Sequence, residues 1–358
     1  MAGPVTPPVP DDQSIGVLAA GAYVPERKLS SAEIAAATDI PEAVIREKFG
    51  IHQKPVPGPD DHTNAMGLFA AQDAVERAGI DPAEIDLVLC TTEEWKEHPL
   101  WTAGIKLAHD LGAHRAWAID VQQRCGTTMA AIEIARAMML ASPGVDTVLI
   151  AGGYRNCDYV DFANPRARFL INLSAGGGAL LLRRGHPRNR VLGSAVITDG
   201  SFSLDVIVPQ GGTVDPRFDD PVGTGGRALD VPDPAAMKAR LDKKSMANFL
   251  AVVDQALERS VEDGRPLGRA DIDFLNILHM KRSAHRYVLG ELGLRETQSF
   301  YLEDFGHLGQ QDQPLVCVEA ERRGLLRDGQ LMVMVAAGIG YAWSASVIRW
   351  GSTASASA

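Results

Sequence analysis

The feature that most limits what this chain can fold into is a pattern that occurs twice. The run from Ala83 to Cys90 reads as a helix exit leading into a short buried strand, and the run from Arg269 to Leu278 has the same form. A second pair closes each half: Val145 to Gly153 and Gly329 to Gly338 are apolar runs that also follow helical stretches. Short apolar runs alternating with helical segments specify an α/β fold with largely parallel strands. Two copies of the same order imply duplication of a single α/β unit. The Gly-, Pro- and Arg-rich connector from Arg183 to Arg190 is the expected join. The expected organisation is a first half over residues 15–185, a second over 186–350, and disordered ends at 1–14 and 351–358.

A chain of 358 residues is long enough for two such units. Its net charge of −10 argues against a nucleic-acid partner, because phosphate binding needs a basic face. The cysteines Cys90, Cys125, Cys157 and Cys317 are scattered, with no CxxC pair, so neither a metal knuckle nor a redox motif is indicated. No metal site is expected, and this usage fits a cytoplasmic protein. The first fourteen residues lack the basic-then-apolar order of a signal peptide, and no apolar run is long enough to span a bilayer, so no membrane partner is expected. Pro209 to Pro234 is rich in Gly, Pro and Asp and reads as a long surface loop, a lid or tunnel wall. Within it, Gly223 to Gly226 lacks the following Lys and preceding strand of a phosphate cradle and reads as plain loop. Gly338 and Gly340 lack a third glycine at dinucleotide spacing, so no nicotinamide site is read there.

The segment Asp120 to Met129 carries the strongest chemical signal. Ala116 to Ile119 reads as a buried strand and Gly126 to Ala141 as a helix, with Met129, Ile132, Ile134, Met138 and Leu140 as its apolar content. Cys125 falls at the junction, where unpaired backbone N–H groups and the positive end of the helix dipole favour a nucleophilic thiolate. The alternative for a free cysteine is a small buried apolar side chain.

Three further positions can join it. His279 follows the buried run Phe274 to Leu278, at the C-terminal mouth of a strand, where ligands bind in open α/β sheets. A histidine that merely caps a strand end is the alternative. His307 stands in a turn between Gly306 and Gly309, ahead of a helical segment from Gln313 to Arg323. Asp312 can hold the His307 imidazole in one tautomer, as the acid does in nucleophile–His–Asp sets, or can simply favour the helix start. Finally, the small residues around Val335 to Trp343 would let a backbone N–H face a carbonyl oxygen, or pack a strand turn closely.

Together these segments resemble a ketoacyl-acyl-carrier-protein synthase III of the thiolase superfamily. The likeness covers nearly the whole chain, from Ile15 to Pro25 through Lys48 to Ile51 to Trp343 to Trp350. Asp120 to Cys125 fits the family's nucleophile segment, and Ile277 to His279 the segment bearing its first active-site His. The resemblance implies a thiolase-like duplicated α-β-α-β-α five-layer fold, a homodimer and an acyl-Cys125 intermediate. It also implies an oxyanion hole from the backbone N–H groups of Cys125 and Ile339. No cofactor is implied; acyl-coenzyme A or acyl-phosphopantetheine would be substrate.

Two departures shape the functional expectation. Family members carry Asn where this chain has His307. The turn from Gly306 to Gly309 resembles instead the Gly-His turn of thiolases and other ketosynthase classes. His307 with Asp312 also resembles a side branch of antibiotic pathways, whose members move an acyl group onto a carrier protein or a sugar hydroxyl, or select an unusual starter acid. At the entrance, the family's adenine-stacking Trp would fall near Val44, which cannot stack, so an acyl-carrier-protein donor gains weight over coenzyme A. Lys281, Arg282, His285 and Arg286, read as one helix face, could meet an acidic carrier protein, or could be an ordinary solvated face.

The expected activity is ping-pong acyl transfer through acyl-Cys125 to a hydroxyl or thiol of a carrier protein or small-molecule acceptor in secondary metabolism. Here His307 is the base and Asp312 its orienter. The alternative is decarboxylative condensation with a malonyl thioester for starter-unit priming, with His279 and His307 holding the enolate. A scaffolding subunit would be expected to lose its nucleophile, and Cys125 is present.

Overall fold

The computed structural model describes residues 14–352. The calls on disordered ends concern residues that lie mostly outside that range. Where they overlap it they are corrected: Gly351 and Ser352 extend the last strand, and the Gly351 N–H donates to Asn189 Oδ1 at 2.7 Å.

The first half runs β1 (Ile15–Tyr23), β2 (Lys28–Ser30), α1 (Ser31–Thr38), α2 (Glu42–Val44), β3 (Gln53–Pro55), α3 (Thr63–Ala78), β4 (Leu87–Cys90), α4 (Ala103–Leu111), β5 (Trp117–Asp120), α5 (Thr127–Ala141), β6 (Thr147–Tyr154) and β7 (Gly176–Arg184). The second runs β8 (Arg188–Thr198), α6 (Pro234–Glu258), β9 (Val261–Glu262), β10 (Arg265–Pro266), β11 (Phe274–Ile277), α7 (Arg282–Glu291), α8 (Asp312–Arg322), β12 (Leu331–Gly338) and β13 (Ala342–Ser352). The main sheet has the order β11-β12-β13-β8-β1-β7-β6-β4-β5. The five strands from β5 to β1 form one half. In the other half the counterpart of β5 is reduced to one parallel bridge, Leu275 to Ser299. The halves touch edge to edge at a single pair, Gly16 with Arg190.

The sheet is mixed, which corrects the expectation of largely parallel strands. β4 runs parallel to β5 and β6, and β11 to β12, but β7 is antiparallel to both β1 and β6, and β13 to both β8 and β12. The reason is connectivity. No α-helix lies between β6 and β7 or between β12 and β13, so neither link is the helical crossover that parallel pairing needs.

Layering follows from which faces the helices cover. α3 lies on β1, β6 and β7, and α6 on β8, β12 and β13. α5, from the first half, packs on β8 and β13 of the second, while α8 packs on β1 and β7 of the first. These two helices form the middle layer of a thiolase-like five-layer fold, and one continuous core runs from Leu87 and Met129 to Leu315 and Val347. Covered on both faces, β4 and β6 are buried at every residue, which is why they read as unbroken apolar runs. β5 differs from expectation. It is the sheet edge, with Trp117 47% and Ile119 37% exposed. No helix among the described residues is long and apolar enough to cross a membrane.

α3 can approach the sheet only because glycines face it. A Cβ on Gly153 would fall 1.8 Å from the Thr63 carbonyl oxygen. Gly153→Ala is therefore expected to destabilise the fold by about 3 kcal/mol in denaturant unfolding. Gly290 in α7 has open space around its Cβ position, so Gly290→Ala is expected to be neutral or stabilising by up to about 1 kcal/mol.

Candidate active site

Cys125 lies in a 3-10 turn, Arg124–Gly126, between β5 and α5. Arg124 just before it is held at φ +53°, a left-handed conformation that costs a side-chain-bearing residue energy. Thr127 holds the turn: its hydroxyl donates to the Arg124 carbonyl at 2.5 Å and accepts from the Gln123 N–H at 2.8 Å. The end of β12 runs against the same turn. A Cβ on Gly338 would sit 2.9 Å from the Cys125 nitrogen, so only glycine lets the two backbones come this close.

His307 stands 3.1 Å from the Cys125 sulfur through Nε2 and 2.6 Å from Asp312 Oδ2 through Nδ1. Gly306 and Gly309 flank it at φ +65° and +60°, the tight turn expected of that spacing. The turn is clamped to a segment after β6: the His307 N–H donates to the Asn172 carbonyl at 2.8 Å, and the Ser174 N–H donates to the His307 carbonyl at 2.9 Å. Asp312 is fully buried and is the first residue of α8, one position ahead of the expected helix start. It also accepts from the backbone N–H of Leu308 at 2.7 Å and of His279 at 2.8 Å. Asp312 is thus both the first residue of α8 and a hydrogen-bond partner of the His307 ring. Burial works to lower the His307 pKa, but the Asp312 carboxylate and the Cys125 sulfur outweigh it and hold it well above the ordinary histidine value.

His279 is at the mouth of β11 but does not face the sulfur as a free donor. Its Nδ1 accepts from the Asn172 side-chain amide at 3.1 Å, and its Nε2 contacts the Gly50 carbonyl at 3.3 Å, which fixes the proton on Nε2. Burial pushes it down to about 4, so it is a neutral imidazole at any ordinary pH. Asn172, which holds both histidines, was missed in the sequence; nothing in its spacing marks it. The buried Lys54 secures that segment, donating to the carbonyls of Ile171 at 2.7 Å and Leu173 at 2.6 Å.

Two cavities meet at Cys125. One, of about 360 Å³, runs out past Asn172 and His279 to Phe49, Met246 and Lys281. The other, of about 390 Å³, is bounded by Glu93, Arg124, Asn156 and the loop from Ile207 to Arg227, so the long loop is a cavity wall. Ile339 lines both.

The basic face after His279 is largely consumed. Arg282 pairs with Glu303 and stacks over Tyr301, and Arg286 pairs with Glu296 at 2.9 Å. Lys281 lies over the Phe49 ring. His285 is corrected outright. It is 3% exposed, packs edge-on against Tyr301, and is pushed down to about 3 by burial, so it presents no charge to a partner.

Comparisons with known proteins bear on the family and the fold. Residues 119–200 match the 3-oxoacyl-[acyl-carrier-protein (ACP)] synthase III family, and residues 264–350 its C-terminal part. The chain is 27% identical over 339 residues to a beta-ketoacyl-[acyl-carrier-protein] synthase III of Symbiobacterium thermophilum, covering 94% of this chain and 98% of that one. Among solved structures, the priming beta-ketosynthase from the R1128 polyketide biosynthetic pathway superposes with TM-score 0.80 at 25% identity, covering 96% and 98%. The 3-oxoacyl-[acyl-carrier-protein] synthase III of Aquifex aeolicus gives 0.80 at 18% identity, covering 94% and 100%, a likeness of fold.

The His307–Asp312 pair has a stability signature. A histidine whose folded-state value is raised contributes stability that is fully present below its unfolded value near 6.5 and is lost as pH rises through the folded value. Asp312→Asn should therefore cost about 3 kcal/mol near pH 6 and progressively less as pH rises, read by denaturant unfolding at a series of pH values.

Proposed function

This chain belongs to the 3-oxoacyl-[acyl-carrier-protein] synthase III family of the thiolase superfamily, and from that premise we propose that it is an acyltransferase working through acyl-Cys125. The observation that carries this reading is the unbroken line from the Cys125 sulfur through His307 to the buried Asp312. The Cys125 thiolate attacks the donor thioester, while the backbone N–H groups of Cys125 and Ile339 receive the oxyanion. The departing pantetheine thiolate takes the proton held on His307. An acceptor hydroxyl or thiol then gives its proton to His307 Nε2 as it attacks the acyl carbonyl, and Cys125 leaves as thiolate. Asp312 keeps Nδ1 protonated throughout and stabilises the imidazolium formed.

The second reading is decarboxylative condensation, and the names of the relatives favour it: they are ketoacyl synthases, one of them a priming enzyme. An enolate would need neutral donors pointing at the thioester oxygen. Once Cys125 is acylated, His307 has given up its Nε2 proton and keeps only the Nδ1 proton bound to Asp312, and the His279 Nε2 proton is engaged by Gly50. The hydrogen bonding therefore weighs for transfer.

The donor is an acyl carrier protein in preference to coenzyme A. Val44 is half-buried in an apolar cluster and offers no stacking surface. Lys281 at the mouth of the outer cavity is the best placed cation for docking, with Arg282 and Arg286 discounted by their ion pairs. The acceptor is a second carrier protein or a small natural-product hydroxyl. A homodimer is supported by the exposed edge at β5, where Trp117 and Ile119 lie open beside Ile105 of α4. Four free cysteines fit a cytoplasmic setting.

Following carbon dioxide release and acceptor acylation side by side tests the choice. Acceptor acylation without carbon dioxide is expected, and His307→Asn should reduce it by on the order of 10³-fold or more. Carbon dioxide released from malonyl-carrier protein in step with product would establish condensation instead. With the same acyl group, carrier-bound donor should also acylate Cys125 faster than the coenzyme A thioester; the opposite order would remove the carrier-protein assignment.

A further inference from the structure

We propose that the cavity bounded by Glu93, Arg124 and Asn156 is built for an acyl group carrying a neutral hydrogen-bond donor, a hydroxyl or a ring N–H, and that Glu93 selects it. This rests on the acyl-Cys125 reading and adds the substrate class. A cavity meant for a plain hydrocarbon chain would be walled with aliphatic side chains. This one places a carboxylate beside the nucleophile. Glu93 is only 5% exposed, yet it lines the cavity. Its Oε2 is satisfied by Arg124 Nη1 at 3.2 Å and Asn156 Nδ2 at 2.5 Å. Its Oε1 has no hydrogen-bond partner among the described residues. Gln210 lines the same cavity. A carboxylate oxygen left over on a cavity wall calls for a ligand that donates.

The local charges exclude an ammonium. Arg124 is shared between Glu93 and Glu94, meeting the latter at 2.5 and 3.1 Å, and Arg227 lines the same cavity. A cationic acyl group would lie among two guanidiniums and two carboxylates already balanced in charge. A neutral hydroxyl or N–H avoids that conflict. The lining is also aromatic, with Trp95 and Tyr159 at 4.8 Å between centroids and Phe218 as well, which suits a flat or short group. Glu93 is also held in place from behind: the Thr91 carbonyl, two residues upstream, accepts from the side chains of Gln310 and Gln311 in the turn that carries His307. The selecting carboxylate and the catalytic histidine are thus fixed to one frame. An acyl group without a donor would fill the space beside Oε1 and leave it unpaired, a form of discrimination that polar pockets use.

The test uses two isosteric pairs as carrier-protein or pantetheine thioesters: 3-hydroxybutyryl against 3-methylbutyryl, and pyrrole-2-carbonyl against furan-2-carbonyl. Intact-mass kinetics of Cys125 loading should favour the donor-bearing member of at least one pair by about tenfold or more. Glu93→Leu should collapse that preference to near unity, while Glu93→Gln, which keeps an acceptor, should retain part of it. A parallel arm measures binding of the same acyl groups, as pantetheine amides, to Cys125→Ser protein by calorimetry, so that the cavity is read without the chemistry. Selective binding with no loading of the wild type would keep the cavity assignment and remove the acyl-enzyme reading. Loading without selectivity, faster loading of a 3-aminobutyryl group, or a preference untouched by Glu93→Leu would overturn the cavity assignment.

Discussion

The structure is organised around one buried carboxylate. Asp312 accepts three hydrogen bonds: from the His307 imidazole, from the Leu308 backbone in the same turn, and from the His279 backbone at the end of β11. A fully buried carboxylate is costly unless its lone pairs are used, and here both oxygens are occupied. The consequence is architectural as well as chemical. The mouth of β11, the Gly-His turn and the first residue of α8 cannot move apart without exposing that charge. α8 in turn is half of the middle layer and packs on strands of the first half, so the carboxylate ties the second half's catalytic loops to the first half's sheet.

The nucleophile arrives by a different route. Cys125 is presented by the first-half helix α5, which leans on β8 and β13 of the second half. The crosswise middle layer brings the two helix starts, α5 and α8, to the same point, with sulfur on one and histidine on the turn before the other. Neither half contains a complete site. The two halves supply two similar helix termini, and the candidate site is formed where they meet.

Much of this was legible in the chain, and for identifiable reasons. The strand-to-helix junction at Cys125, the glycine-flanked His307 and the Asp at the start of the next helix are local features whose geometry is set within a few residues. The repeat of buried strands revealed the duplication because runs covered on both faces read as unbroken apolar sequence. What stayed hidden depends on contacts between distant segments. Asn172 joins both histidines from the end of a 3-10 helix, Pro165–Asn172, whose sequence carries no mark of that role. Glu93 and Glu94 are adjacent acids, yet folding turns the first inward while the second stays exposed. The basic face of α7 looked like a docking surface because its acidic partners, Glu296 and Glu303, lie elsewhere in the chain. The sheet's mixed direction was hidden too, since an apolar run does not carry the direction of its neighbour.

The central claim is that Asp312 holds His307 as a protonated partner of Cys125 in the resting enzyme. Nitrogen-15 histidine NMR of the wild-type protein across pH tests it directly. The account predicts that His307 remains protonated on both nitrogens well above pH 7, with its Nδ1 proton shifted far downfield by the short bond to Asp312. A His307 that titrates near the ordinary value of about 6.5, with no such proton, would contradict it.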